Sequence, residues 1–304
     1  MSELPPLFMT SGDLIADRRV ELARQYQGAG DVSAAADLFA QAVERAPQFA
    51  WAWFLLGEAR RELGDRAGAI EAYGQARAHD PVDRLGAGLQ LARLGAADPN
   101  AAMSGGYVRA LFDQYAPSFD TALGGLDYRA PQLLFDGVTA TGPARFERAL
   151  DLGCGTGLAA RAFAPIVDAM HGVDLSPGMI AQAERSGLYA SLAVDDMLAF
   201  LLRQDEASAD LVIAADALVY LADLAPLLRE VGRVLAPGGL LCFTVETHPG
   251  EGVILGEKLR YAHGADHVRT ALARAGLIET TCAGVSTRSE AGTPVPGLLV
   301  VAQR

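Results

Sequence analysis

An acidic residue and three alternate glycines, Asp151-Leu152-Gly153-Cys154-Gly155-Thr156-Gly157, stand directly after the apolar step Ala149-Leu150. The pattern predicts a short buried strand breaking into a glycine turn, with Leu158 to Ala164 continuing as a helix. Amides at a helix start present unpaired N–H donors at a positive dipole end, and glycines let that backbone approach an anionic or polar ligand. Gly155, Gly157 and Ala160 also satisfy the G-x-G-x-x-A form of a dinucleotide site, so this run alone leaves the ligand open.

Three later strand ends and one strand start narrow the choice. His171-Gly172-Val173-Asp174-Leu175-Ser176 places an acid at the tip of a second apolar run, where it can accept hydrogen bonds from both hydroxyls of a ribose. The rival role for Asp174, a helix cap before Pro177, is better filled by Ser176. Leu192 to Met197 ends a third run in Asp195-Asp196-Met197, and Asp210 to Asp216 ends a fourth in Asp216. Leu235-Ala236-Pro237-Gly238-Gly239-Leu240 closes a helix and turns into a fifth strand, Leu240 to Val245.

In order, these motifs resemble those of the class I S-adenosylmethionine-dependent methyltransferases, from about Arg148 to the C-terminus. The resemblance implies S-adenosyl-L-methionine as cofactor and S-adenosyl-L-homocysteine as product. It places Asp151, Gly153, Gly155 and Gly157 along the methionine end and ribose, and Asp174, with Leu175 beside it, at the ribose hydroxyls. It gives the adenine amino group to Asp196, with Asp195 as rival, and lays Met197 on the adenine face, with a core role as its alternative. Ala215 and Asp216 lie beside the sulfonium. A nicotinamide-dependent oxidoreductase, resting on the bare glycine pattern, leaves Asp151 and the Asp195-Asp196-Met197 strand end unexplained.

Methyl transfer needs little acid–base machinery, because the sulfonium is already a good leaving group; alignment and exclusion of water matter most. A base matters if the acceptor is a hydroxyl or a protonated amine. Glu246 and His248, after the fifth strand, and His263, in Arg260-Tyr261-Ala262-His263, are the candidates, with Glu246 and His263 foremost; Arg260 could pair with a substrate carboxylate. The Arg-Tyr-Ala-His segment, together with Tyr115 to Pro131, resembles a bacterial subgroup of methyltransferases fused to tetratricopeptide repeats. In relatives acting on small molecules a similar aromatic segment precedes the first strand as a lid. Tyr115 is on that ground a cofactor contact; the rival reading has Phe112, Tyr115 and Phe119 seal the side of the sheet.

The elements that must position these residues fall into two regions. Gly30-Asp31 recurs as Gly64-Asp65, Ala35 as Ala69, Phe39 as Tyr73, Ala42 as Ala76 and Pro47 as Pro81, all at the tetratricopeptide period of about 34 residues. Trp53, Leu56 and Gly57 stand at the W-x2-L-G spacing of that repeat. Two helical hairpins are expected, with a capping helix over Arg84 to Leu94 and with Trp51 and Trp53 filling the hairpin core. Beyond Arg148, short apolar runs alternate with amphipathic stretches, the βαβ pattern of a doubly wound parallel sheet. Gly276 to Val285 and Gly297 to Gln303 read as a hairpin that adds one antiparallel strand at the edge of a seven-stranded sheet. The expected domains are an N-terminal tail (1–15), a helical repeat domain (16–98), a linker with lid helices (99–146) and a Rossmann-like methyltransferase domain (147–304).

A net charge of −12 argues against a nucleic-acid partner, which needs a basic stripe to neutralise phosphates. No apolar run is long enough for a membrane span, and no basic start with an apolar run marks a secretion signal. Cys154, Cys242 and Cys282 have no metal-ligand spacing and suit a reducing cytoplasm. The expected function is methyl transfer to oxygen, nitrogen or carbon of a small molecule, the repeats serving a protein partner or a homodimer. The alternatives are a protein acceptor docked through the repeats and a non-catalytic scaffold that binds the cofactor.

Overall fold

The computed structural model describes residues 9–143 and 145–304 and divides the chain into two compact units, 1–107 and 108–304. The first eight residues of the expected N-terminal tail, and residue 144 of the expected linker, lie outside the described residues.

The first unit is built of α1 (Leu14–Gly28), α2 (Val32–Arg45), α3 (Ala50–Glu62), α4 (Arg66–His79) and the short α5 (Ala87–Arg93). Residues 34 apart do the same physical work. Asp31 and Asp65 each cap a helix, accepting from Ala34 N at 3.0 Å and from Gly68 N at 2.9 Å. Phe39 and Tyr73 are both fully buried, as are Ala35 and Ala69. Each second helix ends just before Pro47 or Pro81. Trp53 lies half-buried and donates Nε1–H to Pro47 O at 2.7 Å, while Trp51 carries the Arg24 guanidinium 5.5 Å from its ring centroid.

The second unit opens in α6 (Gly105–Tyr115), within which the division falls, followed by α7 (Phe119–Gly124) and α8 (Ala130–Thr141). Five parallel strands follow with their helices: β1 (Phe146–Leu152), α9 (Leu158–Phe163), β2 (Val167–Asp174), α10 (Pro177–Glu184), β3 (Ser191–Val194), α11 (Met197–Leu202), β4 (Ala209–Ala214), α12 (Ala225–Val234) and β5 (Leu235–Thr247). The remainder is β6 (Val253–Leu255), β7 (Tyr261–His263), α13 (Ala265–Arg274), β8 (Ile278–Val285), β9 (Ser289–Glu290), β10 (Thr293–Pro294) and β11 (Gly297–Gln303).

The main sheet runs β3-β2-β1-β4-β5-β11-β8, with β6 and β7 added beside β5. Alternation along β4 explains why it is central. Leu211 and Ile213 enter the core on one face, with Ala149 and Cys242; Val212 and Ala214 enter the core on the other, with Leu150, Leu241 and Phe243. Full burial of each such aliphatic side chain contributes about 1.5–3 kcal/mol.

The C-terminal hairpin differs from expectation in one respect. Its antiparallel strand is β11, and it lies between β5 and β8 rather than at the edge. The physical reason is in the residues: Leu298 to Ala302 are all apolar and buried, whereas Ile278, Glu279 and Thr280 of β8 are exposed and form the edge. With β6 and β7, the sheet counts nine strands among the described residues, seven of them on the main path.

No helix among the described residues is long and apolar enough to cross a membrane. No group of three or more His, Cys, Asp or Glu there is placed to hold a metal ion.

Candidate active site

The strand order reverses between β1 and β4, and in open sheets of this kind ligands bind at the carboxyl ends flanking that point. The glycine turn leaves β1 there. Gly153 (φ +70°) and Gly155 (φ +54°) hold left-handed backbone that a Cβ would strain. A Cβ on Gly153 would lie 2.5 Å from the Ala217 Cβ, so the turn after β4 packs directly on it. A Cβ on Gly155 would meet only the Phe119 ring, at 3.8 Å.

Asp174 is tied to the same turn. Its Oδ2 accepts Gly155 N–H at 2.9 Å, and its Oδ1 accepts Ser176 N–H at 2.8 Å. Burial raises its pKa, those two amides oppose the shift, and the nearby Asp113 carboxylate adds to it. Ser176 caps α10, accepting Met179 N–H at 3.0 Å. Leu175 lies half-buried between Asp174 and Ser176.

Asp151 is fully buried at the end of β1. Oδ2 accepts the Tyr189 hydroxyl at 2.7 Å, whereas Oδ1 has no partner among the described residues. Burial, against the Tyr189 hydrogen bond and with help from Asp174, pushes its pKa up to about 7. A buried carboxylate oxygen without a partner costs free energy unless a donor reaches it. This oxygen and the glycine turn together fit the polar end of a nucleoside cofactor.

At the third strand tip the two acids separate. Asp195 pairs with Arg203, which holds its carboxyl below the usual range. Asp196 caps α11, accepting Leu198 N–H and Ala199 N–H through Oδ1 alone, and is otherwise exposed. Met197 is half-buried beside it, packed against the core.

Asp216 ends up in the most heavily bonded position. Its backbone is left-handed (φ 53°) although it carries a Cβ. The Thr244 hydroxyl accepts Asp216 N–H at 2.9 Å and donates to its Oδ1 at 2.9 Å. Oδ2 accepts from Thr287 Oγ1 at 2.9 Å and from Arg288 Nη1 at 2.6 Å. Arg288 also donates to Glu246 and Glu290, and Arg260 donates to the same two glutamates. Glu246 is therefore gripped by two guanidiniums, and Arg260 is already paired within the protein. Burial works against ionisation of Glu290, but Arg260 and Arg288 outweigh it and hold its pKa low.

His263, at the end of β7, is fully buried, and neither ring nitrogen has a partner among the described residues. Its ring stacks on His267 at 5.9 Å between centroids. Burial, with the neighbouring His267, pushes its pKa down to about 4, against the Leu221 backbone, which works to raise it. His248 lies after β5, where its Nδ1 accepts Gly250 N–H at 3.1 Å.

Phe119 of the aromatic segment lies against the glycine turn. Tyr115 is 49% exposed. Phe112 stands edge-on to Phe119 at 6.0 Å and to Tyr220 at 5.3 Å, with Phe119 over Gly155. Two carboxylates moor the segment: Asp113 Oδ1 accepts Ser176 Oγ at 2.6 Å and Gly178 N at 3.0 Å, and Asp120 Oδ1 accepts Thr156 Oγ1 at 2.5 Å. Sequence reading missed Asp113, Asp120, Tyr189, Thr244 and Arg288. None belongs to a local motif; their roles exist only once distant segments meet.

A family model described as a methyltransferase domain matches residues 150–243, and one described as a tetratricopeptide repeat matches residues 26–94. Methyltransferase-like protein 27 of Homo sapiens is 35% identical over 171 residues, covering 55% of this chain and 66% of that protein. The ubiquinone biosynthesis O-methyltransferase of Xanthomonas oryzae pv. oryzae is 32% identical over 97 residues, covering 31% of this chain and 41% of that protein. The chain thus spans less than two thirds of the length of either relative. Among solved structures, a SAM-dependent methyltransferase of Leishmania major superimposes with a TM-score of 0.56 at 16% identity, covering 71% of this chain and 89% of that one, a likeness of fold. The chain carries tetratricopeptide repeats followed by a methyltransferase domain with the fold of the S-adenosylmethionine-dependent methyltransferases.

Proposed function

We propose that the second unit transfers a methyl group from S-adenosylmethionine to a small-molecule acceptor. The observation that carries this reading is the joined geometry of the first two strand tips: Asp174 binds the glycine turn, and beside it Asp151 keeps one buried oxygen without a partner among the described residues. When bound, the cofactor supplies a methyl carbon already activated by the sulfonium.

The chain's own residues then bind the cofactor and exclude water. Asp174 and the close approach that the glycine turn allows hold the ribose and methionine end, and Asp151 offers Oδ1 to a donor on the cofactor. Asp196 uses only one oxygen for its helix cap, which leaves the other for the adenine amino group; Asp195 is committed to Arg203. Met197 packs on the adenine face. Phe112, Phe119 and Tyr220 exclude water above the turn, which strengthens every polar contact beneath them.

Glu246 acts as a fixed negative charge within its arginine pair. His263 is the candidate proton acceptor, its buried imidazole kept neutral by desolvation. With burial depressing its basicity, it takes a proton only as the acceptor loses one to methylation. The network Asp216, Glu246, Glu290, Arg260 and Arg288 carries one more carboxylate than guanidinium, which suits the positive charge of the cofactor at the adjacent strand tip.

A second reading brings a protein acceptor to the enzyme through the repeats. Ile15, Leu22 and Tyr26 favour it: all are exposed, and their spacing puts them on one face of α1.

Calorimetric titration with S-adenosylmethionine, S-adenosylhomocysteine and NAD tests the proposal. Micromolar binding of the first two without the third supports it, and a screen of metabolites against repeat-binding proteins then separates the two acceptors. Binding of neither sulfur ligand overturns it.

A further inference from the structure

We propose that Arg288 is a positioning residue for the cofactor cradle: it pins Asp216 in a left-handed backbone conformation that seats Ala217 against Gly153. This rests on the reading above only in naming the cradle's ligand.

The left-handed region is disfavoured for a residue with a Cβ, so Asp216 stays there only if its surroundings over-determine it. They do. Both carboxylate oxygens and the backbone N–H are engaged, by Thr244, Thr287 and Arg288. The next residue, Ala217, leaves no room for a Cβ on Gly153. A change in the Asp216 backbone therefore moves the wall of the glycine turn.

Arg288 lies 72 residues beyond Asp216 and is itself 7% exposed. Its three nitrogens serve three different carboxylates: Nη1 goes to Asp216, Nη2 to Glu246 and Nε to Glu290. A planar guanidinium meets that demand and a lysine ammonium does not, because the acceptors diverge from one plane of donors. Arg260 closes the ring by bonding both glutamates. The residues flanking Arg288 are fixed from the other side, since Arg129 N donates to Thr287 O and Ser289 N to Leu126 O, each at 2.7 Å. The loop after β8 is thus clamped to the segment before α8, and its arginine holds the tips of β4 and β5.

The test uses the full chain with Arg288→Met, Arg288→Lys and Thr287→Val, each also combined with Asp216→Asn. Hydrogen exchange is followed by mass spectrometry, and binding of S-adenosylmethionine by calorimetry. Arg288→Met is expected to speed exchange in residues 214–220 and 151–157 while the rest of the second unit keeps its protection. Cofactor affinity falls by at least about tenfold, Lys restores only part of it, and the Met effect shrinks sharply in the Asp216→Asn background. Wild-type exchange in those two segments, or faster exchange spread uniformly over residues 108–304, overturns the proposal. If Arg288→Met does not fold, Thr287→Val removes a single contact to Asp216 and must give a smaller change in the same two segments; no change there overturns it equally. A wild-type protein that binds no cofactor refutes the functional reading alone, and the exchange pattern still decides the role of Arg288.

Discussion

Tyr189 donates its hydroxyl hydrogen to Oδ2 of Asp151, at 2.7 Å and 38 residues away in sequence, while Oδ1 of the same buried carboxylate has no partner among the described residues. This half-satisfied group makes stability depend on pH. Folding raises the Asp151 pKa from an ordinary 3.8 to about 7, chiefly through burial. Its contribution to stability is complete below the unfolded value and is lost as pH rises toward 7. Asp151→Asn should remove that loss. Melting temperatures of ligand-free protein at pH 5 and pH 8 check this: wild type should fall further than the variant over the interval, and parallel behaviour would refute the assignment.

Asp174→Ala should weaken S-adenosylmethionine binding by at least about tenfold, since hydrogen bonds to a charged group contribute roughly 1.5–3 kcal/mol. The same change frees Gly155 N–H and Ser176 N–H, so the glycine turn loosens as well. Calorimetry on a variant with native circular dichroism decides the matter, and unchanged affinity would remove Asp174 from the ribose site.

His263 titrates in the opposite sense. Burial lowers its pKa from 6.5 to about 4, so its contribution is complete above 6.5 and is lost as pH falls toward 4. Replacing it with leucine, which needs no proton, should flatten acid unfolding between those values. Denaturant titrations at pH 7 and pH 5 would show it as a smaller drop than wild type's.

For turnover, His263→Ala should reduce methyl transfer to the acceptor while cofactor affinity stays near wild type. Single-turnover rates with labelled methyl groups separate the two. Equal rates would make the imidazole a packing residue.

In the repeat unit, Asp31→Ala and Asp65→Ala should each cost about 1 kcal/mol, because both cap a second helix through one backbone amide. Phe39→Ala should cost about 3–5 kcal/mol, as a fully buried aromatic leaves a cavity that its neighbours fill only in part. Urea unfolding measures all three, and unequal cap losses would break the equivalence of the repeats.

The sequence alone determined those features that depend on neighbours in the chain. Two copies of a 34-residue pattern specify the hairpins, because buried small residues and caps act within one repeat. The glycine turn, the acid at each strand tip and the Ser176 cap are equally local, as each follows from residues a few positions apart. The all-apolar run Leu298 to Ala302 even carried the reason for β11 lying inside the sheet, although the hairpin alone suggested an edge.

Only the tertiary structure decided how the carboxylates are used. Asp195 and Asp196 are adjacent and alike, yet Arg203 takes one and a helix start takes the other. Glu246 stands at a strand tip as a base would, but Arg260 and Arg288, 14 and 42 residues on, take its charge. Within the aromatic segment Tyr115 is half exposed while Phe119 faces the glycine turn, because Asp113 and Asp120 moor that segment to residues more than 30 positions away. Charge and hydrogen bonding act through space, so which acid is free, buried or paired is set by partners that chain spacing does not encode.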